Sequence, residues 1–259
     1  MPRFAANLSM MFNEVPFLDR FALAAKAGFK AVEFLFPYDF PAAEIAARLQ
    51  DNGLSQVLFN APPGDWTKGE RGIAALPGRQ GEFRDAIAKA LEYSTALQCP
   101  RLHVMAGLAP EGVAHDTMTA VYGANLAWAA DQCAKAGVKP IIEPINHRDI
   151  PGFFLNTTDQ AAAIIAAVGP ERLGMQFDLY HCQITEGDVV KRVEKHLPLI
   201  AHMQVADNPG RNEPGTGEVN WPFVFDRIDA LGFRGWIGCE YRPAGNTEAG
   251  LGWAKPYLA

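Results

Sequence analysis

The sequence predicts an α/β protein built as one (β/α)8 barrel, a TIM barrel, and three observations point there. Short apolar runs of strand type alternate with helix-type runs along the chain, and there are eight of the former. The chain has 259 residues, long for one sandwich but ordinary for one barrel, so a single domain over 1–259 is expected. The rival is a doubly wound open sheet. It usually carries a glycine-rich phosphate turn after its first strand, and here NLSMMFNEV follows with no glycine.

The first strand is RFAANLSM from Arg3. VPFLDRFALAAKAGF follows with apolar residues at helical spacing and a glycine stop at Gly28. AVEFLF from Ala31 and SQVLFNAP from Ser55 are the second and third strands. FRDAIAKALEYSTALQ from Phe83 is again helical and leads to RLHVMAG from Arg101, the fourth strand. The next helix starts near an N-cap candidate, Asp116, and stops at Gly137. KPIIEPIN from Lys139 is the fifth strand, and TTDQAAAIIAAVG is a helix capped by Thr157 or Thr158 and stopped by Gly169. LGMQFDLYH from Leu173, LIAHMQVAD from Leu199 and GWIGCEYRP from Gly235 complete the eight. After Pro243 the chain turns to glycine and polar residues and reads as a short helix or a tail.

Two connections are long, Pro62 to Gln80 and Asn208 to Trp221, and both follow strands. Loops of that length in a compact domain tend to be functional, and in a barrel the loops after strands surround the site.

Bulk numbers narrow the function classes. Apolar residues make up 49% and charged residues 20%, enough for a large core. Net charge is −6 and no block of Lys or Arg is present, which argues against nucleic acid. The start, MPRFAANLSMMF, lacks the apolar segment of a secretory signal, and no run approaches the ~20 residues of a membrane span. Cys99, Cys133, Cys182 and Cys239 are scattered without a CxxC pair, as expected of reduced thiols in a cytoplasmic protein. A homo-oligomer is left open.

Four oxygen side chains stand out because each interrupts or closes an apolar run: Glu143 in KPIIEPIN, Asp178 in GMQFDLYH, Gln204 in AHMQVAD and Glu240 in WIGCEY. A buried carboxylate costs several kcal/mol, roughly, unless a cation or partner meets it. One such residue is more often an ion-pair or cap residue than a ligand. Four at the C-terminal ends of four neighbouring strands can converge at the barrel mouth. Three carboxylates meeting there call for a divalent cation, and all-oxygen donors favour Mg²⁺ or Mn²⁺ over zinc. His181 and His202 lie close enough in sequence to Asp178 and Gln204 to serve as substrate or outer hydrogen-bond partners. His103 and Asn60 are candidate site liners, the alternatives being a satisfied core histidine and a turn former. If the substrate is an anion, Arg71 or Lys68 of the first long loop, or Arg211 of the second, is its counter-ion.

RFAANLSMMF, GFKAVEFLFPYDF, FNAPPGDWTKGERGIAALPGR, IEPINHRDIPGF, QFDLYH, HMQVADNPGRNEPGTGEVNW and GCEYRPAGNTEAGLGW together resemble the hydroxypyruvate isomerase family, one of the xylose-isomerase-like barrels, from Arg3 to Trp253. The resemblance places that family's acid/base glutamates on Glu143 and Glu240. It places the metal positions on Glu143, Asp178, Gln204 and Glu240. Many sugar isomerases and epimerases of the wider superfamily have histidine at the strand-seven position, where this chain has Gln204. The implied reaction interconverts hydroxypyruvate and tartronate semialdehyde through an enediolate, with a divalent metal and no nucleotide cofactor. A four-carbon 2-oxo-tetronate is the rival substrate. GERGIAALPGR and IEPINHRDIPG look closer to the hydroxypyruvate members. Two readings of another class rank lower. A metal-dependent endonuclease would need a His-rich zinc cluster and a basic face, and the pair Glu143 and Glu240 argues against a non-catalytic binder.

Overall fold

Eight parallel strands close into a barrel in chain order: β1 (Arg3–Asn7), β2 (Ala31–Glu33), β3 (Ser55–Asn60), β4 (Arg101–His103), β5 (Lys139–Ile142), β6 (Gly174–Asp178), β7 (Ile200–Gln204) and β8 (Trp236–Cys239). The computed structural model describes residues 1–258. All eight expected strands are present but shorter than the runs that marked them. The strands are apolar because both faces of a parallel barrel are covered, one by helices and one by the barrel's own interior.

The helices are α1 (Arg20–Lys26), α2 (Ala42–Asp51), α3 (Gln80–Leu97), α4 (His115–Lys135), α5 (Thr158–Val168), α6 (Leu179–Thr185), α7 (Val189–His196), α8 (Trp221–Ala230), α9 (Thr247–Gly250) and α10 (Lys255–Leu258). Thr157 caps α5, its hydroxyl accepting from the Gln160 N–H at 3.1 Å. Asp116 is not a cap: α4 begins at His115 with Ala114 at the cap position, so Asp116 lies in the first turn. There its charge still favours the positive end of the helix dipole. The segment DLYH ends a strand and opens a helix, because the Asp178 carboxylate accepts from the Tyr180 N–H at 2.7 Å and caps α6. Among the described residues no helix is long and apolar enough to cross a membrane, and all four cysteines are unpaired and buried.

The seam between the first and last strands is closed by pairing from Arg3↔Trp236 to Ala6↔Cys239. Phe4 then packs its ring edge-on against Phe225 of α8 at 5.0 Å, Trp253 at 5.0 Å and Tyr257 of α10 at 5.2 Å. A buried aromatic of this kind contributes on the order of 1.5–3 kcal/mol, so the last turns of the chain hold the barrel shut.

The long loop after β3 is pinned along its second half. The Ala75 N–H donates to the Ala106 carbonyl at 2.8 Å, and Gly72 bridges to Ala106. A Cβ on Gly72 would lie 2.4 Å from the Met105 carbonyl oxygen, so only glycine permits this approach. Arg79 ion-pairs with Glu70 across the loop. What remains over the barrel mouth is the turn from Trp66 to Arg71.

Candidate active site

The barrel interior is layered along the strands. Ala5, Ala31 and Val57 form a small apolar floor with Trp236 against it. Above them lies a polar layer built around Glu33, a residue the sequence analysis did not single out. Its carboxylate accepts from Asn7 Nδ2 at 2.9 Å, Gln204 Nε2 at 2.8 Å and His202 Nε2 at 2.6 Å. Glu33 lies on β2 and its partners His202 and Gln204 on β7, so the bonds cross the lumen. Three donors on one carboxylate offset the cost of burying it. Gly238 makes room: a Cβ there would lie 2.1 Å from the Glu33 oxygen.

The next layer carries the acids. Glu143, Asp178, Glu240 and His181 each offer a ligand atom, all within 4.8 Å of one another, and all four residues are buried. Two of the oxygens, Glu143 Oε1 and Asp178 Oδ2, have no hydrogen-bond partner. Burial, and then the charges of Glu240 and Asp178, push the Glu143 carboxyl well above the usual range. Burial also raises Asp178 to about 6 and Glu240 to about 8, with Arg211 opposing both shifts. Burial and the nearby Arg211 charge hold His181 neutral, well below its ordinary value. The cluster could hold a metal ion: three carboxyls and a histidine meet, and two of the carboxyl oxygens are bare.

Arg211 supplies the nearest fixed positive charge. Its Nη2 donates to Glu240 Oε2 at 2.6 Å and stands 3.9 Å from Asp178 Oδ2, while Nη1 donates to Asp149 at 3.0 Å. Burial works against its charge, and the carboxylates, Glu240 first, hold it ionised. Arg211 has φ 56, left-handed for a residue with a side chain. The turn that holds it is built on buried Asp207. The Asp207 carbonyl accepts from the Arg211 N–H at 2.8 Å, and the Asp207 carboxylate accepts from Gly215 and Gly217 at 2.8 and 2.9 Å.

A cavity of about 510 Å³ opens above the acids. Its walls include Asn60, His103, Glu143, His181 and Glu240, together with Arg71, Arg148, Arg211 and Arg242. Arg71 and Trp66 form part of the rim, with the guanidinium 3.9 Å over the indole. His103 faces Glu143 Oε2 at 3.6 Å, and burial followed by His202 lowers it to about 3, so it is a neutral liner.

Of the residues expected at the site, Glu143, Asp178, Glu240 and His181 meet, and Asn60, His103 and Arg71 line the same cavity. Gln204 and His202 do not line it. Gln204 pairs in register with Asp178 on the neighbouring strand, and both ends of its amide are engaged: its oxygen accepts from Gln176 and its nitrogen donates to Glu33. His202 is fully buried against Glu33. Lys68 is 81% exposed and pairs with Asp65 in the loop, so it stands outside the cavity. Arg211, one of the candidate counter-ions for a substrate anion, lines the cavity and is the ion-pair partner of the acids.

Residues 21–257 match the family model of the xylose isomerase-like TIM barrel. The chain is 58% identical to a 2-oxo-tetronate isomerase of Cupriavidus necator, over 100% of this chain and 99% of that one. It is 47% identical to hydroxypyruvate isomerase of Escherichia coli, over 99% and 100%. A solved structure described as an AP endonuclease, family 2, from Brucella melitensis superposes with a TM-score of 0.97 at 50% identity, covering 99% of each chain.

Proposed function

The chain belongs to the xylose isomerase-like TIM barrel family and is a sugar-acid isomerase, and from that premise we propose that it moves the oxo group between C2 and C3 of a short 3-hydroxy-2-oxo acid. The observation that carries the reading is the placement of two carboxyls, Glu143 and Glu240, in one buried cluster on one cavity. Isomerisation takes a proton from C3 and returns one to C2 through an enediolate. One glutamate, as carboxylate, takes the C3 proton, and the other, as carboxylic acid, delivers one to C2. A positioned carboxyl suits either duty, and each is worth about 10²–10⁴-fold. His181 Nε2 lies 3.6 Å from Asp178 and 3.9 Å from Glu143, where it can reach a substrate oxygen. Arg71 at the rim meets the substrate carboxylate.

Glu143, Asp178 and Glu240 would hold a divalent ion, Mg²⁺ or Mn²⁺, with Gln204, in register with Asp178, as a fourth donor whose amide oxygen keeps a second lone pair while accepting from Gln176. When bound, such an ion supplies positive charge that stabilises the enediolate.

The four-carbon acid is the favoured substrate. The motifs alone put hydroxypyruvate first, but the 58% relative acts by its name on 2-oxo-tetronate, and a cavity of about 510 Å³ has room for the extra carbon. The two acids share the reacting atoms C1 to C3, so the chemistry is common to both. Measuring kcat/KM for both acids with purified protein separates them. The expected result is a higher value for the four-carbon acid. A tenfold preference for hydroxypyruvate restores the other order. Endonuclease action is a second reading, because of the Brucella relative's description. A chain of net charge −6 with its acids buried is ill-suited to a DNA backbone, and no nicking of plasmid DNA is expected.

A further inference from the structure

The ring of His181 is locked in one tautomer by its neighbour on the loop after β5. Asn146 is fully buried. Its side-chain oxygen accepts from the Asp149 N–H at 2.8 Å. A backbone N–H can only donate, so this bond fixes which end of the amide is oxygen. The other end, Nδ2, therefore points its hydrogens at His181 Nδ1, 2.6 Å away, and the Asn146 backbone N–H also faces that nitrogen, at 3.5 Å. Two donors converge on Nδ1, so Nδ1 carries a lone pair and the ring proton sits on Nε2. Nε2 in turn looks into the acid layer, toward the two oxygens that have no partner, Asp178 Oδ2 and Glu143 Oε1.

We propose that Asn146 is a positioning residue that holds His181 as a neutral Nε2–H donor, so that His181 hydrogen-bonds a substrate oxygen and is excluded from the metal ligands. His181 is otherwise well placed to be a ligand, since its Nε2 lies in the cluster with the three carboxylates. A histidine ligates through a lone pair, and here the inward lone pair is replaced by a proton. The consequence is chemical. The cation site keeps oxygen donors only and prefers hard ions, while the enediolate oxygen gains a fixed donor of the kind whose removal typically costs about 10²–10³-fold in kcat. The proposal deepens the isomerase reading and rests on it for the substrate's part, but the tautomer itself is a property of the protein without substrate.

The test is long-range ¹H–¹⁵N correlation NMR of the imidazoles, metal-free and with Mg²⁺, with His181 assigned by its loss in His181→Gln. Wild type should show the proton on Nε2 and a bare Nδ1. Asn146→Asp keeps the acceptor for the Asp149 N–H but turns an acceptor toward Nδ1, so the proton should move there. That frees Nε2 as a ligand. Zn²⁺ affinity measured by calorimetry should then rise at least about tenfold, while kcat falls about 10²-fold. A wild-type ring with its proton on Nδ1, or an Asn146→Asp ring that keeps one on Nε2, would overturn the assignment. So would an Asn146→Asp enzyme with unchanged kcat and Zn²⁺ affinity. If Asn146→Asp fails to fold, the wild-type spectrum alone decides. A correct tautomer in a protein that isomerises neither acid would leave the lock standing and remove the isomerase reading.

Discussion

Arg211 Nη2 and Glu240 Oε2 are 2.6 Å apart at the floor of the cavity, an ion pair joining the loop after β7 to the end of β8. Through it the protein supplies one positive charge of its own to a cluster of three buried carboxylates. The charge count then decides what else the site needs. With all three acids ionised, two negative charges are left over, which either protons or one divalent ion can offset.

Removing the arginine should therefore destabilise the metal-free protein sharply. Stripping one partner from a buried pair costs about 3–5 kcal/mol, because the other is left uncompensated. Arg211→Met keeps most of the apolar bulk of the side chain. Urea unfolding of metal-free wild type and variant at about pH 9, where Asp178 and Glu240 have lost their protons, should show that loss, with millimolar Mg²⁺ or Mn²⁺ restoring part of it. An unchanged midpoint at that pH would mean that the acids stay protonated even there.

The acids also set a pH dependence of definite sign. Asp178 and Glu240 titrate at about 6 and about 8 in the folded protein, above their ordinary 3.8 and 4.5. The folded state thus holds protons that the unfolded chain has released. The stability this confers is complete below the unfolded values and is lost as pH rises through the folded ones. Metal-free protein should be more stable at about pH 5 than at about pH 9, and divalent-ion affinity should rise over the same span with release of protons. Unfolding midpoints and calorimetry in buffers of different ionisation heat measure both. A flat response would show that the carboxyls are ionised throughout.

The layer beneath is tested at Gly238. A Cβ 2.1 Å from the Glu33 oxygen must displace a carboxylate held by Asn7, His202 and Gln204. Gly238→Ala should cost about 1–3 kcal/mol, as overpacked interiors do. Combined with Glu33→Ala it should cost less than the sum of the two changes, since the second removes what the first collides with. Additive losses would place the clash elsewhere.

The barrel was legible because its strands are buried on both faces and stand out as apolar runs between glycine stops. All eight were found. The helices Ala42–Asp51, Val189–His196 and Trp221–Ala230 were not marked individually. PAAEIAARLQD is rich in alanine and has no side-chain cap, and VVKRVEKH is amphipathic but short and half charged. WPFVFDRIDA does have a cap, Asn220, which accepts from the Phe223 N–H, but it directly follows a long glycine-rich loop from which that cap does not stand out. At the site, Glu143, Asp178 and Glu240 were readable as acids in apolar runs. Glu33 in AVEFLF carries the same signal and was passed over, although it organises the layer under the acids. His202 was read as a possible substrate partner because strand alternation gives the inward face but not the depth at which a side chain bonds, and it bonds to Glu33. Asn146 and Asp207 were invisible to such reasoning, since their work is hydrogen bonding within turns, which only the folded geometry reveals.

The most direct test of the account is proton NMR of the four-carbon 2-oxo acid in D₂O with wild type, Glu143→Gln and Glu240→Gln. Wild type should move the oxo group from C2 to C3 and place solvent deuterium at C2. Each variant keeps shape and a side-chain oxygen but loses the titrating group, so each should turn over at least about 10²-fold more slowly. The two should then differ: changing the residue that takes the C3 proton abolishes its exchange with solvent, while changing the other slows isomerisation with some C3 exchange surviving. Near-normal turnover in either variant would contradict the two-glutamate proton transfer.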